Sequence, residues 1–252
     1  MPNTDQCPAA SGVFETLAVI NGKPRWPARH LARLLEGCRR LGIDAPPEEV
    51  LRDALHAQAA LPGTGVVKIT VTGNAPAAAG PAQWTVRAEP PRLRPAEWGR
   101  DGVSIITCRT RWPSAPQYAG LKLLDRSAQV QARQEWSAEY VAEGLMLDAD
   151  GCLVSGTMTN VYAVIDDVVC TPALVRCGVA GTMRAALLEA WKARGRAVAE
   201  RDMNPFELIG ANEIFLSNAL IGVWPVRALD GRVYEVGAVA REAATWLQSQ
   251  LP

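Results

Sequence analysis

Histidine is nearly missing from this chain: His30 and His56 are the only two in 252 residues. A zinc enzyme or a Ser-His-Asp hydrolase would have to be built on one of them. Both fall in helix-like segments, "ARHLARLLEGCRRLGI" and "EEVLRDALHAQAAL", where surface or half-buried positions are the expectation. Paired cysteines are missing too. Cys7, Cys38, Cys108, Cys152, Cys170 and Cys177 are scattered, with no C-x-x-C spacing. That reads as reduced thiols in a cytoplasmic protein. Neither charge is in excess, with Lys+Arg and Asp+Glu at 26 each, which argues against nucleic acid or a membrane surface as partner. No apolar run is long enough to span a bilayer, and "MPNTDQCPAASG" lacks the basic-then-apolar pattern of an export signal. There are no repeats or heptads, and the only low-complexity stretch is the short "NAPAAAGPA" loop.

What is present reads as an α+β chain in two parts. "VFETLAVING" alternates and ends in Asn-Gly, so a strand and a turn lead back to "KPRW". "PARHLARLLEGCRRLGI" carries Leu31, Leu34, Leu35, Cys38 and Leu41 at helical spacing, with Gly42 as the stop. "PPEEVLRDALHAQAAL" opens with prolines and acids, as a second helix does. "GVVKITVTG" and "AQWTVRAE" are strands, and the Pro-, Gly- and Arg-rich "PPRLRPAEWGRDG" has no period. The expected division is a small α/β domain over 1–95, a linker over 96–102, and a larger strand-rich domain over 103–252. In the second domain "VSIITCRT" is a strand and "DRSAQVQARQEWSAEYVAEG" is a helix capped by Asp125. "LMLDADGCLVSG" and "NVYAVIDDVVCTP" are hairpins, and neither has the ligand spacing of a calcium loop. "GVAGTMRAALLEAWKARG" enters a helix through glycines, "NEIFLSNALIGVWPVRAL" is strand, turn and strand, and "GAVAREAATWLQSQL" is the last helix.

One residue breaks the pattern. In "QYAGLKLLDR" a lysine, Lys122, stands among Ala119, Gly120, Leu121, Leu123 and Leu124. An ammonium in an apolar site is costly. It either snorkels to water or loses its proton, and a neutral amine is a nucleophile. Three other stretches can present donors. "CGVAGTMR" brings Gly181 and Thr182 to a helix start, a natural anion site. "SGTMTN" and "FLSNALIGV" are small-residue turns. Taken singly, "CGVAGTMR" reads as an ordinary helix entry and "FLSNALIGV" as a plain loop, and only "SGTMTN" is evenly balanced between turn and ligand site.

In their order along the chain, "GLKLLDR", "DADGCLVSGTMTNVYAV", "TPALVRCGVAGTMR" and "FLSNALIGVWPV" resemble the fold-type IV pyridoxal phosphate enzymes. That family holds branched-chain and D-amino acid aminotransferases and the aminodeoxychorismate lyases. The stretch "AGLKLLDR", with Gln129, Val130, Ala132 and Arg133 after it, is most similar to the lyase branch. "GVFETLAVINGKPRW" and "HLARL" match the family's first domain, so the likeness runs from Gly12 to about Val226. The resemblance implies the two-domain D-amino acid aminotransferase-like fold and a homodimer acting on a small molecule. It implies that Lys122 binds pyridoxal 5'-phosphate covalently. It also implies that Arg33, Gly181, Thr182, Ala219 and Leu220 hold the phosphate.

Two departures bear on the chemistry. Most of the family carries glutamate where this chain has Ser155, opposite the cofactor's ring nitrogen. A serine there stabilises a protonated ring less well, which favours an elimination over a transamination. The resemblance thus implies a lyase, with an aminotransferase or a weakened cofactor-binding protein as alternatives. The family arginine after the strand "KITVT" is replaced by Gly73, so Arg109 and Arg111 are the candidates for an anionic substrate.

Overall fold

A computed structural model describes residues 12–73 and 82–250. The "NAPAAAGPA" loop and the N-terminal stretch lie largely outside the described residues. The chain divides into two compact units: residues 1–93 with 121–126 and 251–252, and residues 94–120 with 127–250.

In the first unit β1 (Gly12–Ile20), β2 (Lys23–Pro24), β3 (Val66–Thr72) and β4 (Gln83–Glu89) form an antiparallel sheet in the order β2-β1-β3-β4. The expected Asn-Gly turn is there, with Asn21 and Gly22 both at positive φ. Helices α1 (Pro27–Leu41) and α2 (Glu48–Ala59) cover one face. Leu31 and Leu34 of α1, and Leu51 and Leu55 of α2, pack on Val13, Leu17, Val67, Ile69 and Val71. These strand positions alternate, so the pleat aims every second residue at the helices. Gly42 caps α1 in the left-handed conformation, as its place in the sequence predicts.

In the second unit come α3 (Glu97–Asp101), β5 (Val103–Trp112), α4 (Ser127–Arg133), β6 (Val141–Asp148), β7 (Leu153–Gly156), β8 (Asn160–Ile165) and β9 (Val168–Pro172). They are followed by α5 (Thr182–Ala193), β10 (Val198–Arg201), β11 (Glu213–Asn218), β12 (Gly222–Leu229), β13 (Arg232–Val233) and α6 (Ala238–Ser249). The mixed sheet runs β10-β9-β8-β11-β12-β5-β6-β7, with β13 beside β12. Leu145, Leu147, Val161, Ala163, Ile214, Leu216, Trp224 and Val226 belong to its core. Tyr162, Trp191 and Phe215 make an aromatic cluster with Tyr162 stacked on Phe215 at 4.8 Å. Among the described residues no helix is long and apolar enough to cross a membrane.

Three expectations need correction. The domain division is not sequential, because Leu121–Arg126 returns to the first unit. The Phe14 N–H donates to the Lys122 carbonyl at 3.0 Å, the Leu124 N–H donates to the Gly12 carbonyl at 2.9 Å, and Val13 bridges Leu123. This ladder holds the segment to β1. The expected linker is also mostly helical, as α3. Finally, the helix expected over 125–144 stops at Arg133. The Glu135 carboxylate accepts from the Arg109 and Thr110 amides at 2.7 Å, and Trp136 Nε1 donates to the Val141 carbonyl at 3.0 Å. Those contacts with β5 and the start of β6 outweigh helix propensity, and "VAEG" is strand.

Candidate active site

The first unit holds a buried amine of its own. Glu15 lies on the helix-facing side of β1, between Val13 and Leu17, where the alternation calls for an apolar residue. It is fully buried, and α1 delivers its partners. His30 and Arg33, three residues apart, share one side of the helix. His30 Nδ1 stands 2.6 Å from Glu15 Oε2. Arg33 Nε donates to Oε1 at 2.6 Å and Nη2 to Oε2 at 2.7 Å, a bidentate pair. Burial by itself raises the Glu15 carboxyl, but the Arg33 charge and then His30 outweigh it and hold it at about 2. Glu15 is therefore a carboxylate, which can only accept. His30 must donate from Nδ1, and burial keeps its imidazole on the neutral side despite Glu15. The expectation of a surface or half-buried histidine fails here, since His30 is 1 % exposed. His56 is exposed, as expected.

Lys122 is fixed by the backbone ladder to β1. That approach requires glycine at position 12, where a Cβ would lie 2.2 Å from the Val71 carbonyl and 2.9 Å from Leu124. The Lys122 amine sits over the Phe14 ring, 4.3 Å from its centroid. Burial, and then the Arg33 charge, bring its pKa down from 10.5 to about 7, with Glu15 opposing. The amine is thus a nucleophile at neutral pH. Uptake of pyridoxal phosphate by the cofactor-free protein should rise with pH through about 7, as the neutral fraction grows. Stopped-flow absorbance across neutral pH checks this, and a midpoint at the ordinary lysine value would refute it.

The second unit, taken by itself, holds a cluster of small polar groups. Glu143 of β6 is buried and organises it. Its carboxylate accepts from the Gly144 amide at 3.0 Å, the Thr157 amide at 3.1 Å, Thr157 Oγ1 at 2.5 Å, the Met158 amide at 3.1 Å and Thr159 Oγ1 at 3.1 Å. Burial raises the Glu143 pKa, and these donors oppose the rise. The clamp shapes the 155–160 turn. Ser155, 3 % exposed, donates its hydroxyl to the Gly156 carbonyl at 2.9 Å. In that rotamer it offers a ligand its oxygen lone pairs.

Asn160 ties this turn to the start of α5. Its Nδ2 donates to the Val179 carbonyl at 2.9 Å. A Cβ at Gly181 would lie 2.1 Å from Asn160 Oδ1, so only glycine fits. Gly181, the N-cap, brings no side chain to the first-turn amides, and the first turn holds no acid. The Thr182 end of α5 is thereby suited to an anion. Asn218 joins the third stretch. Its Nδ2 donates to the Met158 carbonyl at 3.1 Å, and its Oδ1 accepts from the Leu220 and Ile221 amides at 2.8 and 2.9 Å. Leu220's amide, expected to face a phosphate, is thus engaged by Asn218.

Of the expected site residues, the structure brings Arg33 to Lys122 through Glu15. It also brings Ser155, Gly181 and the Ala219–Leu220 turn into one network through Asn160 and Asn218. The other two arginines are engaged in the second unit. Arg109 is 92 % exposed with its Nε 3.7 Å from Glu135, and Arg111 donates to the Cys108 carbonyl at 3.3 Å. Glu15, Glu143 and Asn218 escaped the sequence reading as functional residues. The one available signal was an acid inside an apolar alternation, as in "VFETL" and "YVAEGLML". Among the described residues no cluster of His, Cys, Asp or Glu could hold a metal ion.

The model of the family described as amino-transferase class IV matches residues 12–229. A solved structure, 4-amino-4-deoxychorismate lyase from Pseudomonas aeruginosa, is 45 % identical, with 96 % of this chain and 92 % of that one covered and a TM-score of 0.91. Aminodeoxychorismate lyase of Vibrio harveyi is 35 % identical over 132 residues, 52 % of this chain. That match spans about half, 49 %, of the relative's length. D-alanine aminotransferase of Bacillus licheniformis is 25 % identical, with 95 % of this chain and 87 % of that one covered.

Proposed function

From the premise that the chain belongs to the class IV amino-transferase family, we propose that it is a pyridoxal phosphate-dependent lyase releasing pyruvate from aminodeoxychorismate to leave 4-aminobenzoate. The observation that carries this reading is the 45 % identity with a lyase of that name across nearly the whole of both chains.

The residues present fit the cofactor. Lys122 offers an amine that is half neutral near pH 7, as a covalent attachment point requires. The Gly181–Thr182 helix start, without acid or capping side chain, suits a phosphate. On this reading Arg33 and the Ala219–Leu220 turn also serve the phosphate, the latter from Ala219 because the Leu220 amide is bound to Asn218, and Ser155 serves the ring nitrogen. Arg33 is held by Glu15 through Nε and Nη2. When bound, pyridoxal phosphate supplies an electron sink conjugated to the substrate's amine.

Lys122, once the substrate amine has taken its place, removes the proton from the ring carbon bearing that amine. The bond from the neighbouring ring carbon to the enolpyruvyl oxygen breaks and the ring becomes aromatic. Lys122 then returns the proton to the enolpyruvate carbon, giving pyruvate. A group with a pKa near 7 is matched to both transfers. Glu15 and His30 hold Arg33 in place beside this lysine. We place the enzyme in the cytoplasm as a homodimer, on the strength of the family resemblance.

The test is to incubate the purified holoprotein with aminodeoxychorismate and, separately, with amino and keto acid pairs. Equal amounts of pyruvate and 4-aminobenzoate are expected. Keto acid exchange without them would overturn the lyase in favour of an aminotransferase, the reading the D-alanine aminotransferase match favours. Neither product would mark a weakened cofactor-binding homologue.

A further inference from the structure

The face of the first unit's sheet turned away from α1 and α2 is polar and positive. Thr16 of β1 pairs with Lys68 of β3, and Lys68 pairs directly with Arg87 of β4. Thr70 pairs with Phe14 on one side and Thr85 on the other. Like charges directly opposite in an antiparallel ladder oppose each other and destabilise the sheet. Neither Lys68 nor Arg87 has an ion pair among the described residues. The charges gather around one ring. The Lys68 amine lies 5.4 Å and the Arg126 guanidinium 5.9 Å from the Phe14 centroid, the ring that also carries Lys122 at 4.3 Å. Cations are thus concentrated beside the reactive amine, at a cost to the sheet, where a ligand anion would relieve it.

On the lyase reading, on which this inference rests, the products identify that anion. Pyruvate and 4-aminobenzoate each carry a carboxylate, so the substrate carries two. In 4-aminobenzoate the amine and carboxylate lie at opposite ends of one rigid ring. Lys122 meets the amine end, and the Lys68 amine lies beside the same Phe14 ring, 5.4 Å from its centroid. Gly73, directly after the strand that carries Lys68, leaves no arginine at the family's usual carboxylate position. We propose that Lys68, supported by Arg87, anchors the substrate carboxylate para to the amine and so selects aminoaromatic acids over their neutral analogues.

The test is calorimetric binding of 4-aminobenzoate and of 4-aminobenzamide to the pyridoxal phosphate-loaded protein and its variants. The wild type should prefer the acid by roughly tenfold or more, the loss expected for one charge-assisted hydrogen bond. Lys68→Gln should remove the preference with the cofactor's visible absorbance unchanged and the thermal midpoint no lower than in the wild type. Arg87→Gln should reduce it, and Lys68→Arg should restore it. A preference that survives Lys68→Gln, or a wild type with no preference, overturns the proposal. The two readings fail separately. Charge-dependent binding in a protein that makes no pyruvate sinks the lyase and keeps the anchor. Pyruvate release with an undiminished preference in Lys68→Gln does the reverse.

Discussion

Replacing Lys122 with Ala is expected to lower pyruvate release by at least about 10³-fold, since a nucleophile and a general acid–base are lost together. Borohydride reduction followed by mass spectrometry should find the pyridoxyl group on Lys122 in the wild type and no adduct in the variant. An adduct on another residue would refute the assignment, as would a variant with near-normal turnover. The argument is local. Phe14 and Gly12 hold the lysine's backbone, and burial together with Arg33 makes its ammonium unfavourable. Lys122→Arg should not rescue, because a guanidinium stays protonated in proteins. Turnover in the wild type should fall as pH drops below about 7, where Lys122 becomes an ammonium.

The second large effect is expected at Glu15, the carboxylate that holds Arg33 and His30. Glu15→Ala should destabilise the first unit by about 3–5 kcal/mol, as breaking one side of a buried charged pair does. Arg33 and His30 would be left without the carboxylate that satisfies them. Urea unfolding monitored by tryptophan fluorescence measures the change, and a loss below about 1 kcal/mol would place the pair among weak surface bridges. The pH dependence has a definite sign. The folded carboxyl titrates at about 2 against an ordinary 4.5, so its contribution is complete above 4.5 and is lost as pH falls through 2. From the shift alone that contribution is about 3 kcal/mol. Glu15 also carries the charge that opposes the depression of Lys122. Glu15→Gln should therefore move the midpoint of cofactor uptake below that of the wild type, an effect that packing loss alone would not produce.

The sequence by itself determined the elements whose causes are local. The alternation of "VFETLAVI" and its Asn-Gly turn predict β1 and its hairpin, and both form. Leucine spacing and Gly42 place α1 correctly, because periodicity and a left-handed cap act within a few residues. The oddness of Lys122 was also plain, since a lysine among leucines needs no partner to look out of place. What the partners are was a matter for the tertiary structure. Glu15 in "VFETL" reads as an ordinary polar residue until His30 and Arg33, 15 and 18 positions away, are folded onto it. The helix expected to run on past Arg133 ends there because Glu135 and Trp136 find partners on β5 and β6, and no pattern within the segment reveals them. Leu121–Arg126 belongs to the first unit although more than twenty residues separate it from the rest of that unit, because a strand ladder is closed by backbone groups that every residue carries. Side-chain pattern determined which segments became strands and helices. Which strand meets which, and which buried charge finds its partner, only the packed chain decides.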